Sequence, residues 1–296
     1  MRVLVLGASG QLGMSLVLSL QEKGIDFLAK TRSQLDIADL PKLEDTFLTY
    51  LPDIVINAAA FTNVDQAESE PFKAHLANVD GVKNIAICCK NFDAILIHFS
   101  TDYVFRGDST EPYQPNDQVN PISVYGTTKL AGENIIQQFC MKYIVLRTSW
   151  LFSCYAKNFL TTMVNLSKKQ EIISVVSDEI GCPTNTAHLT QVIINSLDRI
   201  KRLKFQSGIY HYAGKGECSW YDFAGEIFNT MKYNELLNHG IQINPIKASE
   251  YSAIAPRPRY SALNSEHFCN SFDQPHLSWR DDLAETIKKY LKNSID

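Results

Sequence analysis

Short apolar runs alternate with helical patterns through the first half of the chain. Residues 3–6 read as a buried strand, and the apolar spacing over 12–20 predicts the helix that follows. The alternation continues with strands or helices expected at 25–29, 40–51, 54–56, 75–90, 94–99, 124–139 and 143–146. Continuous apolar strands separated by helices are typical of a parallel sheet that is covered on both faces. The pattern therefore predicts a doubly wound α/β domain.

The alternation becomes less regular after residue 150. We expect helices or strands at 159–169, 172–176, 186–200, 208–212 and 220–231. Three prolines between 244 and 263 predict an irregular segment there. We therefore expect a first domain at 1–150, to which elements around 171–213 return. A smaller lobe is expected from 151–170 and 214–296.

Composition narrows the class of protein. The chain has 296 residues, is 45% apolar and has a formal net charge of −4, which excludes a disordered chain and disfavours nucleic acid as a partner. No apolar run approaches the roughly 20 residues that a membrane span needs. Seven scattered cysteines without a C-x-x-C pair indicate reduced thiols. We expect a cytoplasmic protein with no membrane partner and no metal.

A glycine-rich turn follows the first strand directly. Gly7, Gly10 and Gly13 form G-x-x-G-x-x-G, a spacing variant of the dinucleotide fingerprint, at the start of the first helix. Glycine lets the backbone approach a pyrophosphate, which the helix N-terminus then stabilises electrostatically. The small residues Ala58, Ala59 and Ala60 follow the third strand, where a cofactor could lie against the backbone.

The end of the second strand bears on the choice of cofactor. Lys30 and Arg32 lie there, and no carboxylate occurs before Asp36. An acidic residue at this place binds the ribose 2′-hydroxyl of NAD, whereas arginine accommodates a 2′-phosphate. We therefore predict NADPH, with NADH possible. Asp36 and Ile37 either contact the adenine edge or, in the case of Asp36, cap the next helix.

The pattern with the most chemical content is Tyr125 and Lys129, four residues apart on a predicted helix, so that their side chains share a face. A neighbouring ammonium is expected to lower the pKa of the phenol and make it a usable acid or base. Ser100 and Thr101 end the strand at the edge that also holds the glycine turn. A hydroxyl there can bind a substrate carbonyl oxygen as negative charge develops.

Two further features have a structural interpretation. His98 and His211 lie on strand patterns and are expected to be packed core histidines rather than metal ligands. Trp220 and Phe223, at near-helical spacing, predict a hydrophobic helix face.

Together these motifs resemble the extended short-chain dehydrogenase/reductases and, more narrowly, the dTDP-4-dehydrorhamnose reductases. The resemblance runs nearly end to end. Its most specific strings are A-E-S-E at 67–70, S-T-D-Y-V-F at 100–105 and S-W-Y-D-F at 219–223. It implies a Rossmann-like sheet that binds NAD(P)H, with a smaller C-terminal substrate lobe and a deoxythymidine diphosphate sugar in the cleft.

The resemblance also implies roles for individual residues. The catalytic set would be Thr101, Tyr125 and Lys129. The cofactor contacts would include Gly7, Gly10, Gln11, Leu12, Gly13, Asp36, Ile37, Ala60, Phe61, Thr62 and Phe99. The sugar site would include Val64, Thr101, Asp102, Trp150 and, on a late loop, Arg257. Ser15 stands where some members have the acidic residue of a metal-bridged dimer, so a metal is not expected, although a homodimer is possible. Asn264 replaces an aspartate of the late loop.

Three other functions are alternatives to a reductase. A sugar-nucleotide dehydratase is disfavoured, because Tyr103 follows Thr101-Asp102 where dehydratases have a glutamate. An epimerase on the same fold stays open. A regulatory subunit that keeps the cofactor fold without turnover, like the β subunit of methionine adenosyltransferase, also stays open. The expected activity is reduction of the C4 carbonyl of dTDP-4-dehydro-L-rhamnose in nucleotide-sugar and surface-polysaccharide biosynthesis.

Overall fold

The computed structural model describes residues 1–237 and 239–293. Its strands, in chain order, are β1 (Arg2–Leu6), β2 (Asp26–Lys30), β3 (Ile54–Asn57), β4 (Ile95–Thr101), β5 (Tyr143–Thr148), β6 (Leu151–Phe152), β7 (Ile172–Val176), β8 (Ile180–Gly181), β9 (Thr184–Asn185), β10 (Gly208–His211), β11 (Cys218–Ser219) and β12 (Gln242–Ile246). Its helices are α1 (Gln11–Glu22), α2 (Leu40–Tyr50), α3 (Val64–Ser69), α4 (Pro71–His75), α5 (Gly81–Asn91), α6 (Val124–Phe139), α7 (Phe159–Ser167), α8 (Thr186–Lys201), α9 (Trp220–Tyr233), α10 (Glu266–Phe272) and α11 (Leu283–Asn293). A π-helical turn, Leu76–Asp80, joins α4 to α5.

The central sheet has six parallel strands in the order β2-β1-β3-β4-β5-β10. The strand order reverses direction next to β1, which is where ligands bind in open sheets of this kind. The predicted doubly wound, Rossmann-like fold is confirmed. All the predicted elements of the first half are present, although the single helix expected at 75–90 is α4, the π-helical turn and α5.

The sheet is buried on both faces, which explains its continuous apolar strands. On one face, Val3 and Val5 pack with Leu16 of α1 and with α8 and α10. On the other face, Leu4 and Leu6 pack with helices α2, α5 and α6. Successive side chains of a strand point to opposite faces, so a run such as Val3–Leu6 supplies both cores at once.

A second core lies in the later part of the chain. Helices α7, α9 and α11 pack around Phe223 and Trp279 next to the two-stranded pair β7–β12. The irregular segment expected at 244–263 is wrong at its start, because Pro245 lies in β12. Proline is tolerated there because β12 pairs on one side only, with β7.

The predicted domain boundaries stay predictions, and the structure adds detail to them. Within 171–213, β10 joins the central sheet and α8 packs on α1. Strand β7 instead pairs with β12 outside that sheet, which differs from the expected return at residue 171. Among residues 1–237 and 239–293, no helix combines the length and apolar character needed to cross a membrane.

Candidate active site

The glycine turn is shaped by close backbone contacts. Gly7 has a φ of +82°, and the N–H groups of Gly7 and Ala8 both donate to the carbonyl oxygen of Lys30. A Cβ atom would lie 2.5 Å from the Ala59 nitrogen at Gly7 and 2.1 Å from the Gly7 oxygen at Gly13. Both positions therefore require glycine for packing.

Gly10 differs from the other two glycines. A Cβ atom there would meet only the Gly7 oxygen, at 3.5 Å, so the space beyond it is open. Gly10 is the N-cap of α1, no side chain caps the helix, and the first turn contains no acidic residue. The free N–H groups and the positive end of the helix dipole thus face an open site, which suits the pyrophosphate of a dinucleotide.

Two cavities of about 270 and 260 Å³ lie at the carboxyl edge of the sheet. They share four residues: Gly10 of the glycine turn, and Ala58, Ala59 and Ala60 of the loop that follows β3, which we call the β3 loop. The first, which we call the catalytic cavity, also contains Gln11, Leu12, Thr62, Phe99, Thr101, Asp102, Tyr125, Lys129 and Trp150. The second, the loop cavity, also contains Gly7, Arg32, Asp36, Ile37 and Phe61. Two chambers joined at the glycine turn fit the two halves of a dinucleotide.

Four predicted site residues line neither cavity. Gly13 acts through packing of the turn, and Lys30 contributes its backbone oxygen to the same turn. Arg257 donates to Asp65 at 3.1 Å, directly beside Val64 at the start of α3. The roles predicted for these residues stay predictions.

Thr101 and Tyr125 both line the catalytic cavity, and the Thr101 side chain acts on the phenol by lowering its pKa. The hydroxyl of Thr101 also donates to Asp102 Oδ1 at 3.0 Å and accepts from the Tyr103 N–H at 3.1 Å. Ser100, the other hydroxyl considered, donates to the buried Glu133 and is engaged there. Thr101 is therefore the hydroxyl that stands beside Tyr125.

The predicted lowering of the Tyr125 pKa is wrong in this structure. Burial raises the pKa of Tyr125 to about 12, although the hydrogen bond with Thr101 partly offsets the effect. The ammonium of Lys129 does not contact the phenol. It donates to the Phe99 carbonyl oxygen at 2.6 Å and lies 3.3 Å from His98 Nε2. A phenol with this pKa keeps its proton at neutral pH, which suits a proton donor.

Lys129 is itself perturbed by burial. Its side chain is 2% exposed, and burial lowers the pKa of Lys129 to about 8, with Glu133 acting in the opposite direction. The expectation that His98 is a packed core histidine fits its 1% exposure, but its ring also contacts Lys129.

Two buried polar atoms in the catalytic cavity lack a hydrogen-bond partner among the described residues. They are Asp102 Oδ2 and Thr148 Oγ1. Burial raises the pKa of Asp102 to about 7, partly offset by hydrogen bonds with Ser261 and Thr101. Buried polar atoms usually have partners, so these two indicate where a polar ligand binds.

An aromatic stack forms one wall of the catalytic cavity. Trp150 has a φ of +47° and lies parallel to Trp220 with ring centroids 3.4 Å apart. Gly181 makes room for it, since a Cβ atom there would lie 2.5 Å from the indole. Phe223 is buried in the second core as predicted, and Trp220 packs against the same core and stacks on Trp150.

Several cavity residues were not predicted as site residues. They are Asn57, Thr148, Ser149 and Leu151 in the catalytic cavity and Ser9, Leu35, Lys73, Leu76 and Ala77 in the loop cavity. The end of β5 could have been found, because Thr148 pairs with Thr101 in register at the same sheet edge. The contribution of α4 and the π-helical turn had no such signal.

Ser15 has an ordinary structural role. Its hydroxyl lies 2.7 Å from Thr186 Oγ1 and donates to the Gln11 carbonyl oxygen, linking α1 to α8. No group of three or more His, Cys, Asp or Glu side chains among the described residues could hold a metal ion. The expected absence of a metal stays a prediction.

A parallel sheet with a glycine turn after its first strand, and a Thr–Tyr–Lys set at the same edge, define an extended short-chain dehydrogenase/reductase. A family model described as the RmlD substrate binding domain matches residues 1–292. The chain is 37% identical to the spore coat polysaccharide biosynthesis protein SpsK of Bacillus subtilis (strain 168), over 97% of each chain. It is 36% identical to the dTDP-4-dehydrorhamnose reductase of Escherichia coli (strain K12), over 95% of each.

Solved structures agree with the sequence relatives. The dTDP-4-dehydrorhamnose reductase from Bacillus anthracis str. Ames, in complex with NADP, superposes with a TM-score of 0.88 at 37% identity, covering 97% of this chain and 99% of that one. The chain belongs to the RmlD family of dTDP-4-dehydrorhamnose reductases. The family resemblance expected from the sequence is confirmed.

Proposed function

We propose that this chain is an NADPH-dependent oxidoreductase that reduces the C4 carbonyl of dTDP-4-dehydro-L-rhamnose to give dTDP-L-rhamnose. The main support is the single catalytic cavity in which Thr101, Tyr125 and Lys129 meet the glycine turn. Its relatives include reductases of this name and a protein of spore coat polysaccharide biosynthesis, so the product would serve surface polysaccharide synthesis.

Each member of the catalytic set has a role that follows from its position. Bound NADPH supplies the hydride. Tyr125 holds its proton on the phenol oxygen and donates it to the carbonyl oxygen as negative charge develops there. Thr101, which lines the same cavity as Tyr125, orients the same oxygen. Lys129 lines the same cavity, and its Nζ atom is held in place by its hydrogen bond to the Phe99 carbonyl oxygen.

The substrate would occupy the part of the catalytic cavity bounded by Asp102, Thr148 and Trp150. The two polar atoms without partners can bind sugar hydroxyls, and the indole offers an apolar face. Arg257 and Val64 would lie beyond it, towards the nucleotide, as the family resemblance implies.

NADPH turnover is the direct test. The purified protein, supplied with NADPH and the 4-keto sugar nucleotide from a coupled dehydratase and 3,5-epimerase, should consume NADPH in proportion to the dTDP-L-rhamnose formed. An epimerase would form a new sugar without net oxidation of NADPH. A regulatory subunit would bind NADPH without turnover, and either result would refute the proposal.

Arg32→Ala should weaken NADPH more than NADH. The Arg32 side chain is 76% exposed, borders the loop cavity and pairs loosely with Asp36 at 3.4 Å, so it is free to turn to a 2′-phosphate. Loss of a charge-assisted hydrogen bond predicts about a tenfold higher KM for NADPH. Steady-state kinetics with both cofactors measure this. Lys30→Ala tests the other cation predicted at this strand end, and its effect should be smaller because Lys30 does not line the cavity. Equal effects of Arg32→Ala on the two cofactors would contradict the NADPH preference.

Two glycine variants should separate binding from folding. Gly10→Ala adds a methyl group whose one near neighbour is the Gly7 oxygen, at 3.5 Å, so the thermal midpoint should hardly change. The Kd for NADPH should rise about tenfold or more, because the methyl group enters the space proposed for the pyrophosphate. Gly13→Ala places its methyl group 2.1 Å from the Gly7 oxygen and should lower the thermal midpoint. Calorimetry and fluorescence titration give the two quantities. An unchanged NADPH affinity in Gly10→Ala would contradict the proposed pyrophosphate site.

We also propose a cytoplasmic location, the absence of a nucleic-acid partner and a possible homodimer. The net charge of −4 disfavours nucleic acid, and biosynthesis from a nucleotide sugar and NADPH takes place in the cytoplasm. Sedimentation of the purified protein would test the dimer.

A further inference from the structure

A chain of buried hydrogen bonds runs from the β3 loop to Lys129. The Ala59 N–H donates to Asn57 Oδ1 at 3.0 Å, and Asn57 Nδ2 lies 2.9 Å from His98 Nδ1. The other ring nitrogen, Nε2, lies 3.3 Å from Lys129 Nζ. Asn57, His98 and Lys129 are each at most 2% exposed, and Asn57 is the register partner of His98 on the neighbouring strand.

The backbone fixes the direction of every bond in this chain. Because the Ala59 N–H needs an acceptor, the oxygen of Asn57 must face it and the amide NH₂ must face His98. Nδ1 of His98 therefore accepts and has no proton. Burial holds the pKa of His98 well below its ordinary value, so the ring is neutral. A neutral ring without a proton on Nδ1 has its proton on Nε2.

The Nε2–H group thus points at an amine that is usually a donor itself. An ammonium at Lys129 has only donors to offer and gains nothing from this neighbour, whereas a neutral amine accepts the N–H with its lone pair. The 3.3 Å separation, longer than the 2.6 Å to the Phe99 oxygen, fits such a weak contact.

We propose that Asn57 and His98 are positioning residues that set the protonation of Lys129, because Asn57 holds His98 in the Nε2–H tautomer and this tautomer favours the neutral amine of Lys129. The proposal rests on the proposed function only in that Lys129 belongs to the catalytic set. Through this tautomer, the loop that follows β3 and borders both cavities is linked by hydrogen bonds to Lys129.

The other charged or titratable side chains near Lys129 lie on several elements. Tyr125 and Glu133 lie on α6 itself, Asp102 lies just beyond β4, and Arg147 on β5 is paired with Glu133. Three further charged groups lie on elements packed against α6. Glu68 accepts from the Val124 N–H at the start of α6, and Lys83 of α5 lies over the ring of Phe139 at the end of α6. Asp80 of the π-helical turn pairs with His75. His98 is the titratable side chain in direct contact with Nζ.

The first test measures the histidine tautomer in the wild-type protein. In protein labelled with ¹⁵N-histidine and free of cofactor, two-bond ¹H–¹⁵N spectra should show one ring with an unprotonated Nδ1 and a protonated Nε2 from pH 6 to 9. A His98→Gln variant assigns the signal among the seven histidines. A protonated Nδ1 or an imidazolium ring at neutral pH would overturn the proposal.

Asn57→Asp reverses the tautomer with little change of shape. The carboxylate accepts from both the Ala59 N–H and His98 Nδ1–H, so Nε2 becomes an acceptor for the Lys129 ammonium. We expect the Lys129 titration, followed by the ¹³Cε signal, to move up by about one pH unit. The alkaline limb of the kcat profile should move up with it.

Asn78→Asp is the matched control. Asn78 is also 1% exposed and donates to Thr128, the neighbour of Lys129, but does not touch His98. An equal upward shift in this variant, or no shift in Asn57→Asp, would overturn the proposal. A protein without turnover would refute the proposed function and leave the tautomer measurement standing, while the wrong tautomer with normal turnover would refute this inference alone.

Discussion

Tyr125→Phe should lower kcat by about 10²-fold or more and leave NADPH affinity nearly unchanged. The variant removes the one hydroxyl that is proposed to protonate the substrate oxygen. It keeps the ring, which packs edge-on against Tyr103 with centroids 5.8 Å apart. Burial raises the pKa of Tyr125 to about 12, so the wild-type phenol stays protonated across the neutral range. The lower kcat of the variant should therefore not be restored by a change of pH within that range. Initial rates of NADPH oxidation and a fluorescence titration measure the two effects.

Thr101→Val is the companion variant. It removes the hydroxyl that lines the catalytic cavity with Tyr125, while keeping a β-branched side chain at the end of β4. The kcat should fall less than in Tyr125→Phe, with a small effect on cofactor binding, since a hydroxyl that orients the carbonyl is less costly to lose than the proton source. A Tyr125→Phe protein that reduces the keto sugar at the wild-type rate would refute the mechanism.

The central sheet was predictable because its signals are local. A strand such as Val3–Leu6, buried on both faces, must be apolar throughout, and a strand–helix alternation leaves few topologies. The second lobe was less predictable. Whether β7 returns to the central sheet or pairs with β12 depends on contacts some 70 residues apart, and neither strand shows that preference in its own residues.

Within the candidate site, the sequence placed side chains at the correct edge but not their contacts. The spacing of Tyr125 and Lys129 put both in the catalytic cavity. It could not show that Nζ bonds the Phe99 carbonyl oxygen, because that acceptor comes from a strand 30 residues away. The same holds for Ser100, whose hydroxyl is taken by Glu133 rather than left for a substrate.

Arg147→Met should cost about 3–5 kcal/mol of unfolding free energy. Arg147 and Glu133 are 2% and 0% exposed, and two N–H groups of Arg147 donate to the two carboxylate oxygens at 3.0 and 2.8 Å. Without the guanidinium, the carboxylate of Glu133 stays buried with Ser100 as its remaining donor. Urea denaturation measures the loss. The exposed pair Lys142–Asp93 gives the control, since Lys142→Met should cost less than about 1 kcal/mol.

The double variant Glu133→Leu/Arg147→Met separates the two sources of this cost. If the loss arises from an uncompensated charge, removing both partners should recover most of the stability, because a buried ion pair is roughly equivalent to well-packed apolar residues. The double variant should nevertheless titrate differently at Lys129, which lies one turn before Glu133 on α6 and loses the carboxylate that raises its pKa. A stable double variant with a lower Lys129 pKa would show that Glu133 raises the pKa of Lys129 as well as pairing with Arg147 in the core. An Arg147→Met variant no less stable than Lys142→Met would contradict the predicted cost of an unpaired carboxylate in this core.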